Sequence, residues 1–138
     1  MPSLNAVLET SFYVDDLDRA SRFYEDVLGL SRIIEGDARI RAYSVGGRSV
    51  LLLFKRGASN CTTQLPFGTM GPHDGSGPLH VAFAIPAAEL ADWEARLTEE
   101  KICIESTVRW PRGVTSLYFR DPDNHLVELA TPGVWSIY

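Results

Sequence analysis

Cysteine is scarce in this chain, with two among 138 residues, Cys61 and Cys103. The pair lacks CxxC spacing and is too small for a disulfide framework, so both are expected to be ordinary thiols and the fold must rest on a packed core. A surplus of positive charge is missing too: 13 Lys and Arg stand against 18 Asp and Glu, a net charge of −5. With the arginines spread along the chain there is no basic field to displace counterions from a phosphate backbone, which argues against nucleic acid as a partner. No apolar run approaches the ~20 residues that span a bilayer, which argues against a membrane. The opening "MPSLNAVLET" has no charged segment followed by an apolar one, so a cytoplasmic protein is expected. What remains is 45% hydrophobic and 22% charged residues, a balance that suits one compact domain burying roughly two thirds of its unfolded surface.

The order of elements repeats. "VLETSFYVDDL" reads as a strand, and "DDLDRASRFYEDVLGL" as an amphipathic helix with Asp15 or Asp16 as N-cap and Gly29 as C-terminal stop. "SRIIEG", "ARIRAYSV" and "SVLLLFKR" follow as β-prone runs, separated by turns at Gly36-Asp37 and Gly46-Gly47. Residues 57–78 are rich in Gly, Pro, Ser and Thr without a period and read as a linker. "LHVAFAI" is then a strand, "PAAELADWEARLTEE" a helix with Leu90, Trp93 and Leu97 on one face, and "KICIESTVRW", "VTSLYFRD" and "HLVELATP" three more strands. The expected fold is α+β, two βαβββ modules at 5–56 and 79–133 with mixed sheets curled around a cavity. Phe12 aligns on Phe83, Leu17 on Leu90 and Tyr43 on Tyr118, as an internal duplication would give.

Strand alternation sorts the side chains. Phe12 and Val14 share the face that should meet the first helix, leaving Glu9, Ser11 and Tyr13 opposite. In the second module Val81, Phe83, Val127 and Leu129 go under the helix, leaving His80 and Glu128 opposite. A buried carboxylate pair is costly without a compensating cation, so Glu9, His80 and Glu128 are candidate ligands of a divalent ion. One nitrogen and two oxygens suit Mn²⁺, Fe²⁺, Ni²⁺, Mg²⁺ or Zn²⁺, with positions open for substrate oxygens. The bland alternatives are an ion pair of Glu9 with an arginine and a hydrogen-bonded core role for His80. His73 is expected as a solvated loop residue and His125 as a turn residue. Arg109, Trp110 and Arg112 form either a cavity mouth or a surface turn.

"FYVDDLDRASRFYEDVLGL", "GPLHVAFAI" and "SLYFRDPDNHLVEL" together resemble the vicinal oxygen chelate superfamily, which includes glyoxalase I, fosfomycin-resistance thiol transferases, extradiol dioxygenases and bleomycin-binding proteins. The resemblance covers residues 6–132 and places the family's metal positions on Glu9, Leu52 or Leu51, His80 and Glu128. Leucine stands where glyoxalase I has glutamate. It also implies substrate contact by Ser116 and Tyr118, with Arg41 and Tyr43 sharing their face by pseudo-symmetry, proton transfer by Glu9 or Glu128, and a homodimer. The implied function is that of a metal-dependent lyase or transferase chelating vicinal oxygens of a small, anionic substrate. The alternatives are an extradiol-type dioxygenase and a metal-free small-molecule binding protein.

Overall fold

A computed structural model describes residues 1–35 and 37–138. The chain falls into two compact units, Met1–Ser76 and Gly77–Tyr138. In the first, β1 (Glu9–Val14) leads into α1 (Leu17–Arg22), whose last turns widen into a π-helix at Phe23–Val27. Then come β2 (Ser31–Ile34), β3 (Ile40–Val45) and β4 (Ser49–Lys55), in a sheet of order β1-β4-β3-β2 with β1 parallel to β4. The turn expected at Gly36-Asp37 falls in part outside the described residues, at Gly36. Within residues 57–78, which the sequence reads as an aperiodic linker, lies a short hairpin of β5 (Thr63–Leu65) and β6 (Gly68–Met70). Three-residue strands are too short to show alternation against a Gly- and Pro-rich background.

The second unit repeats the plan with β7 (His80–Ala84), a 3₁₀ turn Ala87–Glu89, α2 (Leu90–Glu99), β8 (Ile104–Arg109), β9 (Thr115–Arg120) and β10 (Leu126–Ala130). Its sheet runs β7-β10-β9-β8, with β7 parallel to β10. The architecture is thus the α+β pair of βαβββ modules that the sequence order leads one to expect. No helix among the described residues is long and apolar enough to cross a membrane. Cys61 and Cys103 are exposed free thiols.

Each sheet is fixed by burying one face under its helix. Asp16 caps α1, its Oδ1 accepting the Asp18 and Arg19 N–H groups at 2.9 Å each. Gly29 ends the helical run at φ +68°, a conformation glycine adopts without a Cβ penalty. Phe12, Val14, Leu51, Leu53 and Tyr43 from the strands meet Leu17, Ala20, Phe23, Tyr24 and Val27 from the helix, all buried. In the second unit Leu97 of α2 is buried together with Leu117, Phe119, Val127 and Leu129 from the sheet. Apolar burial of this kind stabilises by roughly 1.5–3 kcal/mol per large side chain and fixes which residues are left for the opposite face.

Candidate functional site

The second unit's opposite face carries the most developed polar cluster. In the parallel pair β7–β10, Leu126 stands beside His80 and Glu128 beside Ala82, so His80 and Glu128 point to the same side. The His80 Nε2 lies 3.3 Å from Glu128 Oε2, and His80 Nδ1 lies 2.9 Å from the Leu126 carbonyl oxygen. A carbonyl only accepts, so Nδ1 carries the hydrogen and donates, which leaves Nε2 of a neutral ring with a lone pair. Two acceptors therefore face each other at the Glu128 end, and the contact is favourable only when a cation sits there, either a proton on Nε2 or a metal ion. A ring whose far nitrogen is tied to a backbone carbonyl is the arrangement that orients ligating histidines.

Glu128 is buried, 6% exposed, while His80 is open to solvent. Tyr118 stands directly opposite Glu128 in the antiparallel β9–β10 register, on the same face of the sheet. Burial, followed by the neighbouring Glu128 carboxylate, pushes the Tyr118 phenol above its ordinary value. Ser116, fully buried two residues earlier on the same face, accepts the Trp110 Nε1–H at 3.0 Å. The bond from Trp110 was not legible in "VRWPRG", because it depends on the loop returning through Arg112 and Gly113 at φ +66° and +78°.

In the first unit, Glu9 is exposed at the start of β1, on the face away from the helix that it shares with Ser11 and Tyr13. Leu52, paired with Ser11 and Ala42, is the counterpart of Glu128, whereas Leu51 is buried on the helix face. The expectation that Arg41 and Tyr43 share the face of Ser116 and Tyr118 is corrected. Tyr43 is fully buried against the helix, its hydroxyl 2.8 Å from Ser21 Oγ and 2.9 Å from Glu25 Oε1; its single hydrogen goes to the carboxylate, so the Ser21 hydroxyl donates to it. Arg41, on the same side, bonds the carbonyls of Asp37 and Ile40 and reaches Asp18 Oδ1 at 3.3 Å. The residue matching Tyr118 across the two sheets is Ala42, one position earlier, and a one-residue slip exchanges the faces of a strand.

Two histidines also differ from expectation. His73 is not simply solvated: its Nδ1 is 2.9 Å from the Tyr13 hydroxyl and its ring meets Phe54 edge-on at a 4.5 Å centroid distance. His125 is fully buried, its Nδ1 accepting the Leu79 N–H at 2.9 Å. Within either unit, no three His, Cys, Asp or Glu side chains among the described residues are grouped to hold a metal ion. Within the second unit, the His80–Glu128 pair offers two donors.

The family model described as Glyoxalase/Bleomycin resistance protein/Dioxygenase superfamily matches residues 6–129. The chain belongs to that superfamily. Among its glyoxalase-superfamily relatives, a metallothiol transferase FosB of Staphylococcus epidermidis is 30% identical over 121 residues, covering 87% of this chain and 77% of that protein. A crystal structure of lactoylglutathione lyase from Agrobacterium tumefaciens is 32% identical, with a TM-score of 0.87 over 98% of this chain and 99% of that one. The fosfomycin resistance protein FosX of Listeria monocytogenes, 18% identical with a TM-score of 0.66 over 97% of each chain, shares the fold.

Proposed function

We propose that the protein is a metal-dependent glyoxalase-superfamily enzyme of the lyase or transferase kind, in which His80 and Glu128, with Glu9 as the third ligand, hold one divalent ion. The observation that carries this reading is the 3.3 Å approach of His80 Nε2 to Glu128 Oε2, with Nδ1 already committed to the Leu126 carbonyl. One imidazole nitrogen and carboxylate oxygens fit Mn²⁺, Fe²⁺, Ni²⁺, Zn²⁺ or Mg²⁺. A bound divalent ion would supply a Lewis acid for the oxygens of a small substrate and for the oxyanion that develops on them. His80 holds its lone pair towards the site, Glu128 keeps an oxygen beside it, and Tyr118 stands opposite Glu128 on the same face, while Ser116 is fully buried.

Between the two kinds of relative, transfer of a thiol is favoured over isomerisation of a hemithioacetal. Leu52 occupies the position matching Glu128 in the first sheet, so the carboxylate that glyoxalase I has there is absent from this chain. In thiol transfer to an epoxide, the thiol loses its proton to solvent, the sulfur–carbon bond forms as the carbon–oxygen bond breaks, and the alkoxide oxygen takes a proton back from solvent; three ligands suffice. The expectation of an anionic substrate loses its support from Arg41, which faces the helix side. The test is a screen of metal-loaded protein for thiol consumption with an epoxide phosphonate, hemithioacetal loss and oxygen uptake with a catechol. Thiol consumption that requires Glu128 is the expected result. Turnover of the hemithioacetal at a comparable rate would overturn the preference for transfer, and oxygen uptake would point instead to dioxygenase chemistry.

A further inference from the structure

The outer strand of the first sheet carries an exposed apolar pair that the site does not use. β2 ends the order β1-β4-β3-β2, so one of its edges pairs with β3 and the other carries no strand among the described residues. Edge strands are ordinarily blunted by charge, proline or short length, because their open N–H and C=O groups invite pairing. β2 instead exposes two neighbouring isoleucines, Ile33 at 50% and Ile34 at 47%. In a regular half-buried strand one of two neighbours would turn inward, but the register slips between Arg32 and Ile34 and both stay out. Charges of opposite sign flank them. The Arg32 guanidinium is fixed by Glu25 Oε1, with Nε at 2.9 Å and Nη2 at 2.5 Å. Glu35, just beyond the strand, is exposed and has no ion-pair partner among the described residues.

We propose that a second copy of this chain docks on that edge, the two Arg32–Glu35 segments running antiparallel about a two-fold axis. The order of charges selects that occupant. Along the chain the segment is cation, isoleucine, isoleucine, anion. Turning one copy end for end therefore sets each Arg32 against the partner's Glu35 and brings the isoleucines of both copies together between them. A parallel alignment would set like charges side by side. A two-fold contact uses the same patch on both copies, and this patch is complementary to itself. Two half-exposed isoleucines from each copy make a small apolar core, far short of what an obligate interface buries, so the dimer is reversible and forms in the micromolar range. The inference stands independently of the metal reading, because none of the four residues is a proposed ligand.

Sedimentation equilibrium over a range of protein concentrations reads the contact. The wild type is expected to self-associate, and Ile33→Lys/Ile34→Lys to weaken association more than about tenfold. Glu35→Arg, a change at an exposed side chain outside the strand, should weaken it about threefold or more by setting like charges together at both ends. Arg32→Glu, combined with Glu25→Gln to remove the like charge beside it, should do the same. Mixing those last two proteins in equal amounts should restore association to the wild-type level, because every mixed pair again sets a cation against an anion at each end. A fold damaged by either change would not recover on mixing. A wild type that stays monomeric at every concentration overturns the second copy as the occupant. A wild-type dimer that neither Ile33→Lys/Ile34→Lys nor Glu35→Arg weakens overturns the interface, and mixing without recovery overturns the antiparallel pairing.

Discussion

His125 accepts the Leu79 N–H on its Nδ1 at 2.9 Å, and this bond ties the turn before β10 to the start of β7, the strand that opens with His80. The same join is closed by Leu126 N–H donating to the Leu79 carbonyl at 2.8 Å, and His80 Nδ1 then reaches the Leu126 carbonyl. The backbone that orients His80 is therefore locked by a buried histidine one strand away.

Replacing His125 with Leu, closer to it in volume, leaves the part-buried Leu79 N–H without its acceptor. Stability should fall by about 1–3 kcal/mol, the cost of an unsatisfied buried donor. Urea denaturation measures it, and a variant as stable as the wild type would show that the bond contributes nothing.

Tyr43→Phe removes a buried hydroxyl that bonds Ser21 and Glu25 on the helix. The expected outcome is a loss of about 1–2 kcal/mol of stability with unchanged metal uptake. A variant of native stability with a raised KM would instead return Tyr43 to the substrate face.

Two bonds to the backbone N–H groups of Arg19 and Asp18 hold the Asp16 carboxyl below its ordinary range, the Arg19 bond contributing most. A carboxyl whose folded value is depressed stabilises the fold fully above its unfolded value near pH 4 and loses that contribution as pH falls through the folded one. Asp16→Asn, which keeps an acceptor but not the charge, should flatten the acid limb of the stability curve below about pH 4. An acid limb of unchanged steepness would remove Asp16 from the account.

A Cβ added at Gly75 would stand 2.5 Å from Tyr13 Cδ2, closer than atoms pack. Gly75→Ala should therefore displace the Tyr13 ring and destabilise by about 1–3 kcal/mol. The Tyr13–His73 bond should weaken with it, visible as a shift of the His73 ring resonances; full stability and unchanged resonances would contradict the close approach.

The sequence carried the element order, the helix cap as Asp15 or Asp16, and the facing of Glu9, His80 and Glu128, because each follows from a local pattern; the structure picks Asp16. It carried the face of Tyr43 wrongly. Matching Tyr43 to Tyr118 rested on residue type, whereas the ladder pairs Ala42 with Leu52 and Tyr118 with Glu128, and only the inter-strand register decides between neighbours one residue apart. The roles of His125 and Trp110 were hidden for another reason. Both act through partners brought close by the fold, Leu79 at a separation of 46 residues and Ser116 across a loop with two positive-φ positions.

The measurement that bears most directly on the central claim is the metal content of the protein after incubation with Mn²⁺ or Zn²⁺ and removal of excess, for the wild type beside Glu128→Gln and His80→Ala. The account predicts about one ion per chain in the wild type and an affinity more than about 100-fold weaker in either variant, with both still folded. A wild type that retains no ion, or a Glu128→Gln protein that binds it as tightly, would contradict the account.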